Sequence, residues 1–401
     1  MSVHPRPRLL VDVTQYVGQP ATAGIQRVLW RLARDWPGHS LDARYGFLRR
    51  GSFVSGPLSA LGSVIGEQFQ SPNIGLSMPS DVARKPLRAA ASERVRVRDI
   101  EEAFDAYLLP EPTFHPSSAA VATRLRSSVR TPAFFIYYDA LPLTHPELFP
   151  KRTAEGLEPF SRAVVSSDNV AFISKATQRV VEGRLARRPL ANALVAALGA
   201  DSLPTVPSRA PDTPTFTVLG TVEPRKRHRL VFDAFEGLWD AGFEYRLVVA
   251  GAPGWERFGE ISRLRRLHET GRATWIESPR DDDLARAVAG SSAVLYVPED
   301  EGYGLPPVEA LAAGCPVILP ADLPSLEDLP DLGQIRLESV TAGTIATAVE
   351  TLASPAANAQ HRRAIESLEL PTWAQFADRL ERWITRSLAS DRRSLGRVPR
   401  S

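Results

Sequence analysis

The chain has 401 residues, of which 43% are hydrophobic and 23% charged, which is ordinary for a soluble globular protein and long enough for two domains. A formal net charge of +2 is too small to indicate general nucleic-acid binding, and the single cysteine, Cys315, excludes an internal disulfide. No stretch has the length of a transmembrane helix and no signal-peptide pattern is found, so we expect a cytoplasmic protein.

The N-terminal half contains apolar runs typical of buried strands, at 8–14, 106–112, 133–139 and 170–174. Residues 23–36 predict a loop that leads into an amphipathic helix. Residues 50–105 have little hydrophobic periodicity and are rich in Ser, Gly and Pro, so we expect an insertion or a mobile loop there. We expect residues 1–204 to form the first domain, with a proline-rich linker at 203–214.

The C-terminal half alternates regularly between the two kinds of element. Strands are predicted at 215–220, 245–251, 273–277, 293–298 and 316–320, and helices at 229–242, 257–270, 282–291 and 307–313. This alternation indicates a parallel sheet covered on both faces, in a domain of residues 205–370. A strong amphipathic pattern predicts a last helix at 371–388, and residues 389–401 predict a disordered basic tail.

One segment of the second half, LYVPEDEGYGLPPVEALAAGCPVILP (295–320), places two glutamates around a glycine turn at the end of a strand. Pro306 and Pro307 suit a first helical turn, whose free amides attract an anion. The glycines beside them leave the backbone open to a ligand. A carboxylate accepts two hydrogen bonds and therefore holds a sugar diol, so Glu301 and Glu309 around a phosphate site predict a nucleotide-sugar site.

Each glutamate also has an ordinary structural interpretation. Glu309 in a first helical turn would complement the helix dipole, and Glu301 would belong to a solvated acidic loop with Glu299 and Asp300. For either glutamate alone this interpretation is the more favourable one. The coincidence of the glycine loop, the proline pair and the strand end favours the ligand site.

The motif EGYGLPPVEALAAGCPVI resembles the glutamate-x7-glutamate motif of retaining glycosyltransferases of family four, also called group one. LGTVEPRKRHRLVFDAF (219–235) resembles the family's phosphate segment, and AGIQRV, YYDALPLTHPELF, FISKATQRV and LGAD resemble its N-terminal half. The resemblance is nearest to bacterial mannosyltransferases of O-antigen and exopolysaccharide synthesis. It implies an α/β fold of the GT-B type, with two Rossmann-like domains facing across a crevice and a C-terminal helix that crosses back to the first domain.

The resemblance also implies roles for individual residues on the donor side. Glu301 would hold the hydroxyls of the transferred sugar, Glu309 the ribose, and Lys226 the leaving diphosphate, where a fixed cation stabilises the transition state. Arg225 is a second cation candidate, whereas Arg227, His228 and Arg229 are expected to form a solvated basic face or a helix start. The donor-binding residues are then Gly220, Thr221, Arg225, Tyr303, Gly304, Leu305 and Glu309.

On the acceptor side the resemblance implies Gly24, Tyr138, Asp139 and His145, with Asp139 as a catalytic candidate. Two residues depart from the family pattern. Thr221 stands where many relatives have arginine, which leaves the phosphate to Lys226 with less help. Tyr138 stands where many have histidine beside the sugar, so the choice between Tyr138, Asp139 and His145 for that role stays open.

The implied reaction transfers a hexose, with mannose the first candidate, from a nucleotide-diphosphate sugar such as GDP-mannose to a glycan or lipid-linked acceptor. No cofactor and no metal are expected, since His4, His115 and His268 lack ligand-like spacing. The arginine-studded segment 175–188 favours an ordinary solvated face over the alternative, a contact with the inner face of the plasma membrane. The rival interpretations are a non-catalytic scaffold or sugar-binding partner and a sugar-nucleotide epimerase or a phosphorylase on the same fold.

Overall fold

The computed structural model describes residues 6–21, 24–70, 78–207, 210–257 and 259–395. The chain divides into two compact units. The first unit contains the described residues up to Leu198 and the C-terminal helix from Trp373 onward, and the second contains the described residues from Gly199 to Thr372. The predicted boundary after residue 204 lies six residues beyond this change of unit, where Ala200 donates a backbone hydrogen bond to the carbonyl of Pro371.

The first unit is built on a sheet of eight strands in the order β4-β3-β2-β1-β5-β6-β7-β8. Its strands are β1 (Arg8–Asp12), β2 (Asp42–Arg49), β3 (Ser52–Pro57), β4 (Glu93–Arg96), β5 (Ala106–Leu109), β6 (Ala133–Tyr137), β7 (Asn169–Phe172) and β8 (Asn192–Val195). The pairs β2–β3 and β3–β4 are antiparallel and the other pairs parallel. The carboxyl ends of β1, β5, β6 and β7 therefore meet at one edge of the sheet.

The α-helices of the first unit are Thr14–Gly18, Gly24–Asp35, Leu58–Gln70, Asp81–Ala89, Ile100–Ala103, Pro116–Leu125, Leu141–Thr144, Lys151–Val165, Lys175–Val180 and Trp373–Leu395. Val181–Ala186 is a π-helix, and Val97–Asp99 and Pro146–Leu148 are 3₁₀ helices. Aromatic side chains such as Phe135, Tyr137 and Phe172 are fully buried between the sheet and these helices.

The expectation of a mobile loop at 50–105 does not hold for the described residues of that segment. Two antiparallel strands, β3 and β4, extend the sheet there, and two helices, Leu58–Gln70 and Asp81–Ala89, cover it. The short strands and the helix that contains Pro86 give little periodicity in the sequence, but Phe53, Leu61 and Ile65 are fully buried. Packing against β2 supplies the order that local sequence preference does not.

The C-terminal helix returns to the first unit, as the resemblance implied. Trp383 contacts Phe134 edge to face at 5.0 Å, and the carboxylate of Glu381 accepts hydrogen bonds of 2.8 Å from the backbone amides of Ser40 and Leu41. The helix ends at Leu395 rather than at 388. Residues 389–395, predicted to be disordered, are therefore helical, and 396–401 lie outside the described residues.

The second unit has six parallel strands in the order β11-β10-β9-β12-β13-β14. They are β9 (Thr215–Leu219), β10 (Arg246–Ala250), β11 (Ala273–Ile276), β12 (Ala293–Leu295), β13 (Val317–Pro320) and β14 (Gln334–Leu337). The α-helices are His228–Asp240, Glu260–Glu269, Asp281–Ala289, Leu305–Ala312, Ala342–Ala353 and Pro355–Ile365, and the 3₁₀ helices are Pro224–Lys226 and Pro324–Leu326. The strand order reverses between β9 and β12, which is where doubly wound sheets bind ligands.

Candidate active site

The candidate site lies beyond the carboxyl ends of β9 and β12 in the second unit. The segment after β9 begins with Gly220, whose φ of +116° falls in the region that glycine adopts readily. A 3₁₀ turn, Pro224–Lys226, then leads into the helix His228–Asp240. This geometry brings the side chain of Lys226 back to the strand end, because its Cε lies 3.9 Å from where a Cβ on Gly220 would stand.

The segment after β12 contributes the opposite wall. Tyr296 directly follows the strand, Glu301 lies five residues later, and Gly304 has a φ of +90°. Gly304, in the left-handed conformation, precedes the helix Leu305–Ala312, which begins two residues earlier than predicted. The first turn of this helix tolerates Pro306, because amide hydrogens there have no partner within the helix.

This earlier start changes the position of Glu309. It is the fifth residue of Leu305–Ala312 and lies past the first turn, which contains no acidic residue. The prediction that Glu309 lies in the first turn is therefore wrong, and the helix-dipole interpretation loses its geometric basis, because that effect is confined to the first turn. Its carboxylate is buried, with 7% of the residue exposed.

Glu301 and Lys226 are brought into direct contact. Three donors converge on one oxygen of Glu301, Oε1: the ammonium of Lys226, the hydroxyl of Tyr296 at 2.7 Å, and the guanidinium of Arg225 at 2.5 Å. Lys226 also donates to the Tyr296 hydroxyl at 2.6 Å. Arg225 makes a second ion pair with Glu223 at 2.7 Å, so it bridges two carboxylates.

Only 12% of the Glu301 side chain and 11% of the Lys226 side chain are exposed. Burial alone would raise the pKa of Glu301, but the positive charges of Lys226 and Arg225 outweigh it and hold this pKa at about 2. Glu301 is therefore ionised at neutral pH. The alternative of a solvated acidic loop applies to Glu299, whose side chain is 46% exposed, and not to Glu301.

The ion pair leaves two unused hydrogen-bonding positions. Within the described part of the chain, the second oxygen of Glu301, Oε2, accepts no hydrogen bond, and the contacts of Lys226 use two of the three protons of its ammonium group. An acceptor and a donor are thus presented side by side. A sugar hydroxyl and a phosphate oxygen are groups that these two positions can bind.

The loop between Glu301 and the helix is held from outside by Ser325. Its hydroxyl donates to the carbonyl of Gly304 at 2.9 Å, and its amide donates to the carbonyl of Tyr303 at the same distance. Tyr303 is buried and Leu305 half-buried. These two hydrogen bonds stabilise the loop conformation. The sequence analysis did not single out Ser325.

The residues next to Lys226 differ from the expected solvated face. Arg229 is exposed, with 59% of its side chain accessible, but His228 is fully buried at the start of its helix. Burial, and then the positive charge of Lys226, lower the pKa of His228 to about 4, so it is neutral. Thr221, which replaces the family arginine, is half-buried, and Arg225 supplies the second positive charge at Glu301.

The predicted acceptor-side residues lie in the first unit, around the carboxyl ends of β1 and β6. Gly24 is the first residue of the helix Gly24–Asp35, and a Cβ added there would meet no atom within 4 Å. Asp139 follows β6 and accepts the amide of Leu141 at 3.0 Å, while His145 lies 3.1 Å from the hydroxyl of Thr144. Their proposed roles stay predictions.

Tyr138 does not present its hydroxyl in the way a surface histidine would. The residue is 6% exposed, and its hydroxyl donates to the carbonyl of Pro110 at 2.7 Å. The single proton of the phenol group therefore has a structural partner inside the unit and is not offered to a ligand.

Two buried carboxyl groups at the same edge were not predicted. Asp12 ends β1 and accepts hydrogen bonds from Thr14 at 2.5 Å and Tyr107 at 2.5 Å. Glu111 follows β5 and accepts the amide of Tyr16 at 2.9 Å. Burial, together with the nearby charge of Asp12, raises the pKa of Glu111 to about 8. Acidic residues directly after apolar strands were the available signal in the sequence.

Among the described residues, no group of three or more His, Cys, Asp or Glu side chains is arranged to hold a metal ion. In the same residues, no helix combines the length and the apolar character that crossing a membrane requires.

Residues 203–329, which include Lys226, Glu301 and Glu309, match the family model described as glycosyl transferases group 1. The chain contains a glycosyltransferase group 1 domain. The match includes both walls of the candidate site, and the predicted resemblance to group one is thereby confirmed for this domain. Membership of family four stays a prediction.

A curated relative extends the similarity of this chain beyond the matched domain. The chain is 28% identical to the serotype-specific mannosyltransferase WbdA of Escherichia coli over an alignment of 399 residues. This alignment covers 92% of this chain and 45% of WbdA. The chain thus spans about half the length of the curated relatives it matches first. The predicted similarity to bacterial mannosyltransferases is confirmed as a similarity.

Solved structures show the fold. Sucrose-phosphate synthase from Thermosynechococcus elongatus superposes with a TM-score of 0.64 at 15% identity, over 96% of this chain and 100% of that one. Anabaena Alr3699/HepE, solved in complex with UDP and glucose, gives a TM-score of 0.61 at 15% identity, over 96% and 100%. These neighbours are GT-B glycosyltransferases, and the predicted fold class is confirmed.

Proposed function

We propose that this chain transfers a hexose from a nucleotide-diphosphate sugar to a glycan or lipid-linked acceptor in the synthesis of a cell-surface polysaccharide. Mannose carried by GDP is the first candidate donor, because the curated relatives are named mannosyltransferases. The single observation that carries the proposal is the buried Lys226–Glu301 pair, which presents one donor and one acceptor beside the start of the helix Leu305–Ala312.

The chemistry of a diphosphate donor fits this pair. When the bond from the anomeric carbon to the β-phosphate oxygen breaks, negative charge develops on the phosphate. The ammonium of Lys226, with Arg225 beside it, can neutralise that charge in a site from which most water is excluded. Oε2 of Glu301 can accept a hydrogen bond from a hydroxyl of the transferred sugar, which orients the ring during transfer.

We further propose retention of anomeric configuration by front-side attack. The acceptor oxygen bonds to the anomeric carbon on the face from which the diphosphate leaves, and the acceptor proton passes to the leaving phosphate oxygen. The atoms balance without any base from the protein. In this scheme the protein positions the reactants and stabilises charge, and Glu309 holds the ribose of the nucleotide.

The acceptor side of the proposal rests on the first unit. Gly24 and Asp139 lie at the same sheet edge, next to the start of a twelve-residue helix. We propose that this edge binds the glycan or lipid-linked acceptor, at the cytoplasmic face of the membrane where such acceptors are extended. The resemblance of the N-terminal half to the family motivates this acceptor assignment. Tyr138 is assigned a packing role because its hydroxyl donates to the carbonyl of Pro110.

The test is a transfer assay with a panel of nucleotide sugars and extracted lipid-linked glycans, read by mass spectrometry. The expected result is one hexose added per acceptor from one preferred donor, with the anomeric configuration of the product matching the donor by NMR. Glu301→Gln should abolish most of this transfer, and Glu299→Gln, a matched change at an exposed neighbour, should leave it unchanged. Donor binding without transfer to any acceptor would support a non-catalytic sugar-binding partner instead.

A further inference from the structure

The hydroxyl of Tyr296 occupies the third corner of the Lys226–Glu301 contact. It lies 2.6 Å from the Lys226 ammonium nitrogen and 2.7 Å from Oε1 of Glu301. The residue is 3% exposed, and the ammonium also lies 4.5 Å from the centre of the Tyr296 ring. One side chain therefore contacts the cation in two ways and the anion in one.

The protonation states fix the direction of these hydrogen bonds. An ammonium group only donates and an ionised carboxylate only accepts, so the phenol accepts from Lys226 and gives its single proton to Glu301. Burial, and then the negative charge of Glu301, raise the pKa of Tyr296 well above its usual value. Tyr296 thus stays neutral and keeps this direction throughout the range in which proteins are stable.

The triangle restricts where the two charged groups can point. With Oε1 held by Lys226, Tyr296 and Arg225, the carboxylate of Glu301 cannot rotate without breaking hydrogen bonds to two cations and a phenol. The rotation of the ammonium is restricted as well, since two of its three protons are engaged. Both unused positions, Oε2 of Glu301 and the third N–H of Lys226, are therefore fixed in space before a ligand arrives.

We propose that Tyr296 is a positioning residue that holds Lys226 charged and Glu301 oriented for transfer. This inference rests on the proposed function of the same site. Tyr296 acts through Lys226 and Glu301, because both hydrogen bonds of its hydroxyl go to these two residues. A phenylalanine would keep the ring contact to the ammonium and lose the hydroxyl that links the two charges.

The first experiment measures the effect of the Tyr296 hydroxyl on the pKa of Lys226, without any substrate. The chain has four lysines, Lys85, Lys151, Lys175 and Lys226, so selective isotope labelling of lysine gives a spectrum in which Lys226 is resolved and assigned by its substitution with arginine. Burial already lowers the pKa of Lys226, and in Tyr296→Phe we expect this pKa to fall further, because the charged form loses a hydrogen-bond acceptor. Tyr45→Phe, which removes a buried hydroxyl bonded to Leu87 in the first unit, should leave it unchanged.

The second experiment measures transfer. Tyr296→Phe should lower kcat about tenfold, in line with the loss of one hydrogen bond to a charged group, and leave the donor KM within about twofold. The alkaline limb of its pH–rate profile should move to lower pH, as the Lys226 pKa does. A loss of fold would instead abolish the cooperative thermal unfolding transition and nucleoside diphosphate binding together, and both should persist in Tyr296→Phe.

Equal Lys226 pKa values in the wild type and Tyr296→Phe would overturn the inference, as would an unchanged kcat and pH profile in an active variant. The proposed function fails separately. A shifted Lys226 pKa in a protein that transfers no hexose would reject the glycosyltransferase assignment and leave the Tyr296 link in place.

Discussion

The ammonium of Lys226 donates to the carboxylate of Glu301, although the two residues are 75 positions apart in the chain. Each stands in a loop at the carboxyl end of a parallel strand, and the strands β9 and β12 are neighbours in the sheet. The sheet topology therefore brings the two residues together. Burial of both side chains strengthens the attraction between their charges, because the local dielectric constant is lower than that of water.

Substitution of Lys226 should affect the transition state more than the bound donor. The charge on the leaving phosphate is largest as the glycosyl bond breaks, so Lys226→Ala should lower kcat by about 10²- to 10³-fold and raise the donor KM much less. Steady-state kinetics at varied donor concentration measure both. Arg229→Ala removes one positive charge from an exposed neighbour and should change neither. A change in KM alone would mean that Lys226 binds donor and transition state equally.

Glu301 should make stability depend on pH in a defined window. Its pKa of about 2 in the folded protein lies below the ordinary value of 4.5, so its ionised form stabilises the fold above pH 4.5 and this contribution is lost as the pH falls toward 2. Glu301→Gln should therefore be less stable at pH 7 by about 3 kcal/mol at most, and the difference should shrink between pH 4.5 and 2.

Denaturant unfolding of the wild type and Glu301→Gln at several pH values checks this, because the other carboxylates contribute equally to both proteins. Glu299→Gln, with its half-exposed side chain, should show a small difference that does not vary with pH. A gap between wild type and Glu301→Gln that is constant from pH 7 to pH 3 would contradict the depressed pKa.

Glu309 is expected to bind the nucleotide rather than to stabilise its helix. Loss of a hydrogen bond to a charged group is worth about 1.5–3 kcal/mol, so Glu309→Ala should weaken nucleoside diphosphate binding roughly ten- to hundredfold in calorimetry. Asp282→Ala, an exposed acid in the first turn of Asp281–Ala289, is the control for helix-dipole effects and should leave binding unchanged. If Glu309→Ala binds nucleotide like the wild type, the ribose assignment must be given up.

The sequence predicted the second unit better than the first, for a physical reason. Strands β9, β10 and β12 are continuous apolar runs between glycine and proline turns, and a parallel sheet buried on both faces requires that pattern. β14, with Gln334 and Arg336 in four residues, lies at the sheet edge and has no such pattern. β3 and β4 were missed because they are short and are ordered by pairing with β2 rather than by their own composition.

The site was predictable as a set of residue types but not as an arrangement. A glutamate motif and a lone lysine in a phosphate-type segment identified Glu301 and Lys226, whereas no local pattern says that their charges pair. Tyr296 lies in an apolar run where an aromatic residue normally indicates core packing. Only the structure, in which the ends of β9 and β12 are adjacent, shows that the Tyr296 hydroxyl reaches both Lys226 and Glu301.

Glu111 should give the first unit a pH dependence of the opposite sign. Burial raises its pKa to about 8 in the folded protein, so its contribution to stability is full below pH 4.5 and is lost as the pH rises through 8. Glu111→Gln keeps an oxygen for the amide of Tyr16 and cannot ionise. It should therefore gain stability relative to the wild type between pH 4.5 and 8, whereas Glu102→Gln, at an exposed position, should not.

Urea unfolding at pH 5, 6.5 and 8 measures this difference. A gap between Glu111→Gln and the wild type that does not grow with pH would mean that Glu111 is ionised in the fold at every pH tested. In that case the amides of Tyr16 and Gln26 would compensate its charge more fully than their distances of 2.9 and 3.3 Å suggest.

Gly24 offers a test of the acceptor side that separates ligand contact from folding. A Cβ at Gly24 meets no heavy atom within 4 Å, and the residue begins a helix, so Gly24→Ala should leave stability unchanged or slightly higher. If an acceptor approaches this backbone, the added methyl group should raise the acceptor KM several-fold without changing the donor KM.

Gly18→Ala is the matched control, because Gly18 also has open space at its Cβ position and ends the preceding helix Thr14–Gly18. The measurement is transfer at saturating donor and varied acceptor, together with thermal unfolding of all three proteins. An acceptor KM that is the same in Gly24→Ala, Gly18→Ala and the wild type would exclude a close approach of the acceptor to Gly24. The acceptor would then have to be sought at Asp139 and His145, farther along the same sheet edge.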